Sequence, residues 1–338
     1  MKQKRKFLIF SFYTFFIFFF KIKFSNRLFA KFNKKNQTVV LTHKIVLKHL
    51  ISKNHPEKSE RILELIKLLK KKKLGILIRE INLKKKEKNW IKTIHSNFHI
   101  NSLRNKYPIG EESSLVAVKG CLQGIDTIMK NEHRNVFCAV RPPGHHALNT
   151  GKHEGFCYYN HIAISAKYIQ KKYKLRKILI IDWDYHHGNS TELFFYDDPS
   201  VLFFSTHDIN AYPRTGSPSR TGAGKGKGYN VNIHLPCGTS DNEIIDTYKN
   251  ILVKKANLFE PEFILISAGF DSRKDDPLGC FNISDKGFEE LTKITLKIAE
   301  KHCSGRLLSI LEGGYNIEGN AKAAVAHIET LNYFNKII

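Results

Sequence analysis

The run from Lys177 to Asn189, K-I-L-I-I-D-W-D-Y-H-H-G-N, limits the possible folds more than any other part of the chain. Its aliphatic residues 178–181 are typical of a strand buried on both faces, as in a parallel sheet covered by helices. Asp182, Asp184 and His186 then follow at alternate positions. Because side chains alternate along an extended chain, these three project to one side. The run therefore predicts an α/β fold with a ligand site at the carboxyl end of a parallel strand.

This combination of side chains suits a transition-metal site. Carboxylate oxygens and imidazole nitrogens bind Zn²⁺ and Fe²⁺, and a catalytic site needs about three protein ligands and one open position. A second aliphatic run, F-I-L-I-S-A-G-F-D at 263–271, also ends in an acid. We expect Asp271 to be the third ligand. The alternative interpretation is a strand end with solvated acids and a helix-capping aspartate.

Two further segments carry groups suited to acid–base chemistry. R-P-P-G-H-H at 141–146 follows a short buried strand, and its prolines and glycine favour a rigid turn that presents His145 and His146. Imidazoles titrate near neutral pH, which suits proton transfer. E-G-G-Y at 312–315 follows the last predicted strand, and its glycines allow the Tyr315 phenol to enter a pocket and stabilise an oxyanion. A histidine pair on its own is usually found on the surface without a catalytic role, and a structural tyrosine is the alternative interpretation of Tyr315.

The N-terminal segment differs in composition from the remainder. Residues 7–20 form an uncharged, Phe-rich run flanked by basic residues. A membrane span needs about 20 apolar residues, so this run is short, and no small-residue cleavage site follows it. Three interpretations stay open: a membrane anchor, an uncleaved signal-like segment, or an extension from a misplaced start codon. We therefore predict an extension over 1–37 and a catalytic domain over 38–338.

Positive charge is concentrated in the first third of the chain. Residues 1–110 contain 28 Lys and Arg against 5 Asp and Glu, whereas residues 111–338 contain 27 against 26. The lysine runs at 70–73 and 84–86 could attract nucleic acid or an anionic membrane. No nucleic-acid-binding motif accompanies them, which favours a solvated basic face. The catalytic part is almost neutral, so charge does not indicate its substrate.

The six cysteines include no C-x-x-C pair. This pattern predicts reduced thiols in a cytoplasmic enzyme rather than a disulfide framework. We expect a cytoplasmic catalytic domain, with membrane association through residues 1–37 as an open alternative.

Four motifs stand in one order along the chain: R-P-P-G-H-H at 141–146, D-W-D-Y-H-H-G-N at 182–189, A-G-F-D at 268–271 and L-E-G-G-Y-N at 311–316. Together they resemble the zinc-dependent histone deacetylase family, which includes acetylpolyamine amidohydrolases and acetoin-utilisation proteins. Asn189 and Glu312 resemble its class II branch. The resemblance covers about residues 38–330. It implies the arginase-like three-layer α/β sandwich, with an eight-stranded, mainly parallel sheet flanked by helices.

The resemblance implies two bound ions. Zn²⁺, with Fe²⁺ as the alternative, would be held by Asp184, His186 and Asp271. K⁺ would take a structural site formed by Asp182, Asp184, His186, Ser205 and Thr206.

The resemblance also implies which groups act on the substrate. His145 and His146 would be the general acid/base pair. Asp182 would orient His145, and Asn189 would stand beside His146. Tyr315 would bind the carbonyl oxygen. The acyl-lysine channel would be lined by Gly155, Phe156 and Tyr212.

The implied activity is removal of acetyl or other acyl groups from acetylated lysine of proteins such as histones, by metal-activated water. Many members place an acid at the pocket rim just before a proline, where this chain has Lys106, so acetylpolyamines or other small amides are the alternative substrates. A binuclear ureohydrolase of the same fold is disfavoured, because Gly188 and Arg273 stand where its second metal needs aspartates. An inactive membrane-tethered scaffold is disfavoured by the complete set of catalytic residues.

Overall fold

The computed structural model describes residues 38–84 and 88–334. The predicted extension over 1–37, with its membrane-anchor interpretation, lies outside the described residues. Within the described ranges, no helix is both long enough and apolar enough to cross a membrane.

A single sheet of eight strands organises the described residues. Its strands are β1 (Val39–Thr42), β2 (Leu77–Glu80), β3 (Asn135–Cys138), β4 (Ile178–Asp182), β5 (Val201–His207), β6 (Asn230–His234), β7 (Phe263–Ala268) and β8 (Leu307–Leu311). The order across the sheet is β2-β1-β3-β8-β7-β4-β5-β6, and every neighbouring pair runs parallel. All residues of β3, β4, β5, β7 and β8 are buried, which explains why apolar residues predominate in them.

Ten α-helices occur within the described ranges. They are α1 (Glu60–Lys72), α2 (Lys88–Ile91), α3 (Asn97–Lys106), α4 (Pro108–Met129), α5 (His161–Tyr173), α6 (Asn189–Phe195), α7 (Asp241–Thr247), α8 (Val253–Phe259), α9 (Asp285–Cys303) and α10 (Ile317–Phe334). A π-helical turn, Tyr248–Leu252, joins α7 to α8, and short 3-10 helices lie at Lys44–Leu47 and Gly224–Gly226. The helices α1, α10 and α9 pack side by side, as do α4 and α5. The predicted three-layer α/β fold is confirmed.

The strand order explains why distant motifs can meet. The strands β3, β8, β7 and β4 are consecutive in the sheet. Three of the four motifs begin in the last residue of one of these strands, and R-P-P-G-H-H begins shortly after β3. Because parallel strands end at the same edge, all four motifs converge there.

The cysteines differ from the expectation of six reduced thiols. Cys237, after β6, and Cys280, before α9, form a disulfide with a Cα–Cα distance of 5.2 Å. The amide of Gly238 donates to the Cys280 carbonyl at 2.8 Å, which holds the two loops together. The remaining four cysteines are free and buried. Spacing could not predict this pair, because tertiary folding brings together residues that are 43 apart.

Candidate metal centre and active site

Three predicted ligands come together at the carboxyl edge of β4 and β7. The His186 Nδ1 atom lies 3.2 Å from Asp184 Oδ1 and 3.0 Å from Asp271 Oδ2. One donor atom from each side chain lies within 4.8 Å of the other two, and no other such group of three was found among the described residues. The adjacency of β4 and β7 brings Asp271 to ligands that precede it by more than 80 residues.

Glycines make room for the two carboxylates. A Cβ at Gly269 would lie 2.0 Å from Asp184 Oδ2, and one at Gly313 would lie 2.0 Å from Asp271 Oδ2. The Gly313 amide donates to Asp184 Oδ2 at 2.8 Å, and the Tyr185 amide donates to Asp271 Oδ1 at 2.8 Å. The backbone therefore approaches both carboxylates closely and fixes their orientation.

The electrostatics of this group favour a bound cation. Burial, reinforced by neighbouring Asp184, raises the pKa of Asp271 to about 7. Burial would lower the pKa of His186, but Asp184 and Asp271 outweigh it and raise that pKa to about 10. The raised pKa of Asp271 shows that a second negative charge beside Asp184 is disfavoured in this buried cluster, and a bound cation would relieve that repulsion. Two carboxylates and one imidazole are a suitable donor set for Zn²⁺ or Fe²⁺, so the residues present fit a divalent metal ion.

The adjacent histidines have different partners. His145 Nδ1 lies 3.0 Å from Asp182 Oδ2, and His146 Nδ1 lies 2.7 Å from Asn189 Oδ1. Burial opposes a charge on His145, but Asp184 and Asp182 outweigh it and raise its pKa well above the usual value. Burial, together with the positive charges of His145 and His186, lowers the pKa of His146 well below the usual value. One ring therefore favours a proton and the other favours the neutral form.

Buried charged residues that were not assigned a role in the site from the sequence support this pair. Glu312 Oε2 accepts hydrogen bonds from the amides of Gly144 at 2.6 Å and His145 at 3.2 Å. Arg141, in the same turn, pairs with Glu57 at 2.6 Å, and Glu57 also pairs with Arg61 at 3.0 Å. The segment H-P-E-K-S-E-R at 55–61 was the available signal for Glu57 and Arg61, but charged residues before a helix are usually solvated.

Tyr315 is held at the same edge. Its side chain is 8% exposed, and its backbone amide donates to Asp276 Oδ2 at 2.6 Å. Its ring lies 5.0 Å from the Arg61 guanidinium and 5.9 Å from the Phe156 ring centroid. Burial raises the pKa of the phenol well above its usual value, so the hydroxyl keeps its proton. The sequence analysis missed Asp276, which offers no local motif.

The predicted channel residues lie around His146 and Tyr315. Gly155 and Phe156 both have positive φ, at 50° and 68°. A Cβ at Gly155 would lie 2.2 Å from the His146 ring, so only glycine permits this close approach. The half-exposed Tyr212 lies with its ring centroid 5.0 Å from that of His146.

The residues predicted for K⁺ lie beside the metal ligands in sequence and in the sheet. Ser205, on β5, is the register partner of Asp182 on β4. Its hydroxyl lies 2.9 Å from His207 Nδ1, and Thr206, the next residue of β5, is fully buried.

Gly188 and Arg273 stand at the positions where a second metal ion would need aspartate ligands. A Cβ at Gly188 would lie 2.2 Å from Asp182 Oδ2, which leaves no room for a longer side chain. Arg273 pairs with Asp285 at 2.7 Å. Neither position therefore provides an acid for a binuclear centre.

Comparisons with known proteins agree with this geometry. Residues 55–331 match the family model described as a histone deacetylase domain. A probable deacetylase of Archaeoglobus fulgidus is 36% identical over 297 residues, covering 83% of this chain and 82% of that protein. The polyamine deacetylase HDAC10 of Danio rerio is 37% identical over 222 residues, covering 64% of this chain but only 32% of that protein. The crystal structure of the HDA15 HD domain matches with a TM-score of 0.81 and 30% identity, covering 88% of each chain.

Proposed function

The chain belongs to the histone deacetylase family, and we propose that it removes acetyl groups from acetylated lysine side chains of proteins such as histones. Membership identifies a deacetylase, a hydrolase of amide C–N bonds. The observation that supports the finer proposal is the convergence of the Asp184–His186–Asp271 group with the histidine pair and Tyr315. We also propose residues 38–338 as the catalytic domain, cytoplasmic in location.

Asp184, His186 and Asp271 would hold the divalent ion, for which we propose Zn²⁺, with Fe²⁺ as the alternative. When bound, such an ion polarises an amide carbonyl and lowers the pKa of water. Asp182, Ser205 and Thr206, with Asp184 and His186, would hold a structural K⁺.

His146 would be the general base. The Asn189 side-chain oxygen accepts from Nδ1 of His146, which leaves Nε2 without a proton and able to take one from water. His145 would be the general acid, because Asp182 and Asp184 keep it protonated. Its proton would pass to the leaving amine as the C–N bond breaks.

Tyr315 would stabilise the charge that develops on the carbonyl oxygen. The phenol keeps its proton, so its O–H can donate to an oxyanion. Asp276 and Arg61 restrain its backbone and ring before substrate binds. Gly155, Phe156 and Tyr212 would line the channel through which the acyl-lysine side chain reaches these groups.

A small acetylated amine is the second candidate substrate. Many members of the family have an acid at the pocket rim where the resemblance places Lys106, and a lysine side chain would offer no acceptor for a peptide amide. Similarity to a protein named polyamine deacetylase agrees with this alternative.

A substrate panel tests the proposal. The full-length protein, supplied with Zn²⁺, would be assayed for acetate release from an acetyl-lysine peptide and from acetylated polyamines, with His146→Ala as the inactive control. We expect the higher kcat/KM on the peptide. A higher value on the polyamines would favour the second candidate, and release from neither, with the metal bound, would refute the proposed activity. Lys106→Asp should increase kcat/KM on the peptide more than on the polyamines if the rim contributes to peptide binding.

A further inference from the structure

Two buried histidines outside the catalytic pair make a set of contacts that the mechanism does not use. His95 precedes α3 and His99 lies in its first turn. Their rings stack with centroids 4.8 Å apart and an interplanar angle of 24°. His95 is 2% exposed and His99 is fully buried.

All four ring nitrogens of this pair contact one segment, residues 147–160, which we call the wall loop because it carries Gly155 and Phe156. His99 Nδ1 accepts from the Gly151 amide at 3.1 Å, and its Nε2 lies 2.8 Å from the Tyr158 carbonyl. His95 Nε2 accepts from the Asn160 amide at 2.8 Å, and its Nδ1 lies 3.1 Å from Asn149 Oδ1. The two rings thus hold the loop near both ends and on either side of the channel residues.

These contacts require both rings to be neutral. A backbone amide only donates and a carbonyl only accepts, so His99 carries its proton on Nε2. His95 accepts from an amide at Nε2, so its proton is on Nδ1 and points to Asn149. Burial, with His99 and His161 nearby, lowers the pKa of His95 to about 3. Burial also lowers the pKa of His99. The Tyr158 carbonyl and Glu154 act in the opposite direction but do not outweigh burial.

The wall loop is connected to the active site at two points. Gly155 and Phe156 approach His146 and Tyr315, as described above. At its other end, Asn160 Nδ2 donates to Ser190 Oγ at 2.6 Å, and Ser190 Oγ donates to the His145 carbonyl at 2.8 Å. A displacement of the loop would therefore move the channel wall before it disturbs the metal ligands.

Ordinary core packing does not explain this arrangement. A histidine that only fills space could be replaced by an apolar ring, whereas here each nitrogen satisfies a polar group of a segment with little regular structure. Loops of this kind depend on such bonds to hold a single conformation.

We propose that His95 and His99 are positioning residues that hold the wall loop in the conformation forming the acyl channel, and that they determine substrate affinity more than the rate of the chemical step. This inference rests on the proposed function of the site.

The test compares three full-length variants with the wild type. His99→Phe keeps an aromatic ring but removes both contacts with the loop. His99→Gln keeps a donor for the Tyr158 carbonyl. The matched control is His327→Phe. His327 is also fully buried, and its ring nitrogens lie 2.7 Å from Thr292 Oγ1 in α9 and 2.8 Å from Ser309 Oγ in β8, so its hydrogen-bonding groups belong to these elements and not to the wall loop. Its ring also packs against Trp183 and Phe270.

We expect His99→Phe to raise KM for the acetyl-lysine peptide about tenfold or more, since two hydrogen bonds are lost, with kcat changed less than about threefold. His99→Gln should recover most of the affinity. His327→Phe should lower the melting temperature without raising KM. An unchanged KM in His99→Phe, or an equal increase in His327→Phe, would overturn the inference. If His99→Phe does not fold, Asn149→Ala removes one loop contact at a less buried position and should also raise KM.

Amide hydrogen exchange separates this inference from the proposed activity. Exchange of the peptide covering 149–160 should accelerate in His99→Phe and stay at the wild-type rate in His327→Phe. If exchange accelerates as expected but the wild-type protein hydrolyses neither substrate class, the proposed activity is refuted. The role of the two histidines in holding the wall loop would still stand. Unchanged exchange in His99→Phe would refute the positioning role, whatever the substrate.

Discussion

His145 and His146 pack with their ring centroids only 4.0 Å apart. A carboxylate, Asp182, contacts the first ring, and a neutral amide, Asn189, contacts the second. Asp184 and Asp182 outweigh burial and raise the pKa of His145, whereas burial and the positive charges of His145 and His186 lower the pKa of His146. Two adjacent residues of one type are thereby suited to different tasks, proton donation and proton acceptance.

Replacing His146 by alanine should lower kcat by about two to four orders of magnitude, the usual contribution of a general base. The ring is not among the metal ligands, so metal content measured by elemental analysis should not change. Turnover close to the wild-type rate would exclude His146 as the base.

Tyr315→Phe should lower kcat by about two to three orders of magnitude, because it removes one oxyanion donor. The metal content and the melting temperature should stay near those of the wild type. Tyr168→Phe is a suitable control, since that buried phenol bonds to Asp126 between α4 and α5. A similar loss of turnover in both variants would indicate a general packing effect.

Glu57→Gln should reduce the free energy of unfolding by about 3–5 kcal/mol at pH 7, because Arg61 and Arg141 would be left in the core without their counter-charge. Burial alone would raise the pKa of Glu57, but the two guanidinium groups outweigh it and lower that pKa below its usual value. The ionised carboxylate therefore stabilises the fold above the unfolded-state pKa of about 4.3, and this contribution is lost as pH falls through the lower folded-state pKa.

Denaturant unfolding of both proteins at pH 7, 5 and 4 checks this prediction. The difference in the free energy of unfolding between the wild type and Glu57→Gln should be smaller at pH 4 than at pH 7. Glu64→Gln is the control, since it breaks the partly exposed pair with Lys67. It should lower the free energy of unfolding by less than about 1 kcal/mol. A difference that does not vary with pH would contradict the assigned ionisation of Glu57.

The strands and the motifs that follow them could be predicted because buried parallel strands produce continuous aliphatic runs, as in 178–181 and 263–266. Strand ends are harder to predict. The last three residues of β5, Ser205, Thr206 and His207, are polar, yet this segment pairs with β6 and stays buried.

The supporting residues could not be predicted in the same way. Glu57, Arg61 and Asp276 are charged, and their burial depends on the order of distant strands and not on local periodicity. His95 and His99 have helical spacing on a segment with no catalytic motif, so their contacts with the wall loop appear only in three dimensions. The Cys237–Cys280 pair is similar, because its loops meet only through tertiary folding.

The central claim is that one divalent ion at Asp184, His186 and Asp271 makes this chain a deacetylase. The direct test is to remove metal from the full-length protein with a chelator and to measure acetate release from the acetyl-lysine peptide while Zn²⁺ is added back. Activity should rise in proportion to added metal and level off at about one equivalent per chain, with no such rise in Asp271→Asn. Activity that continues to rise up to two equivalents of Zn²⁺ per chain, or acetate release that does not depend on metal, would contradict the assignment of a single catalytic metal ion.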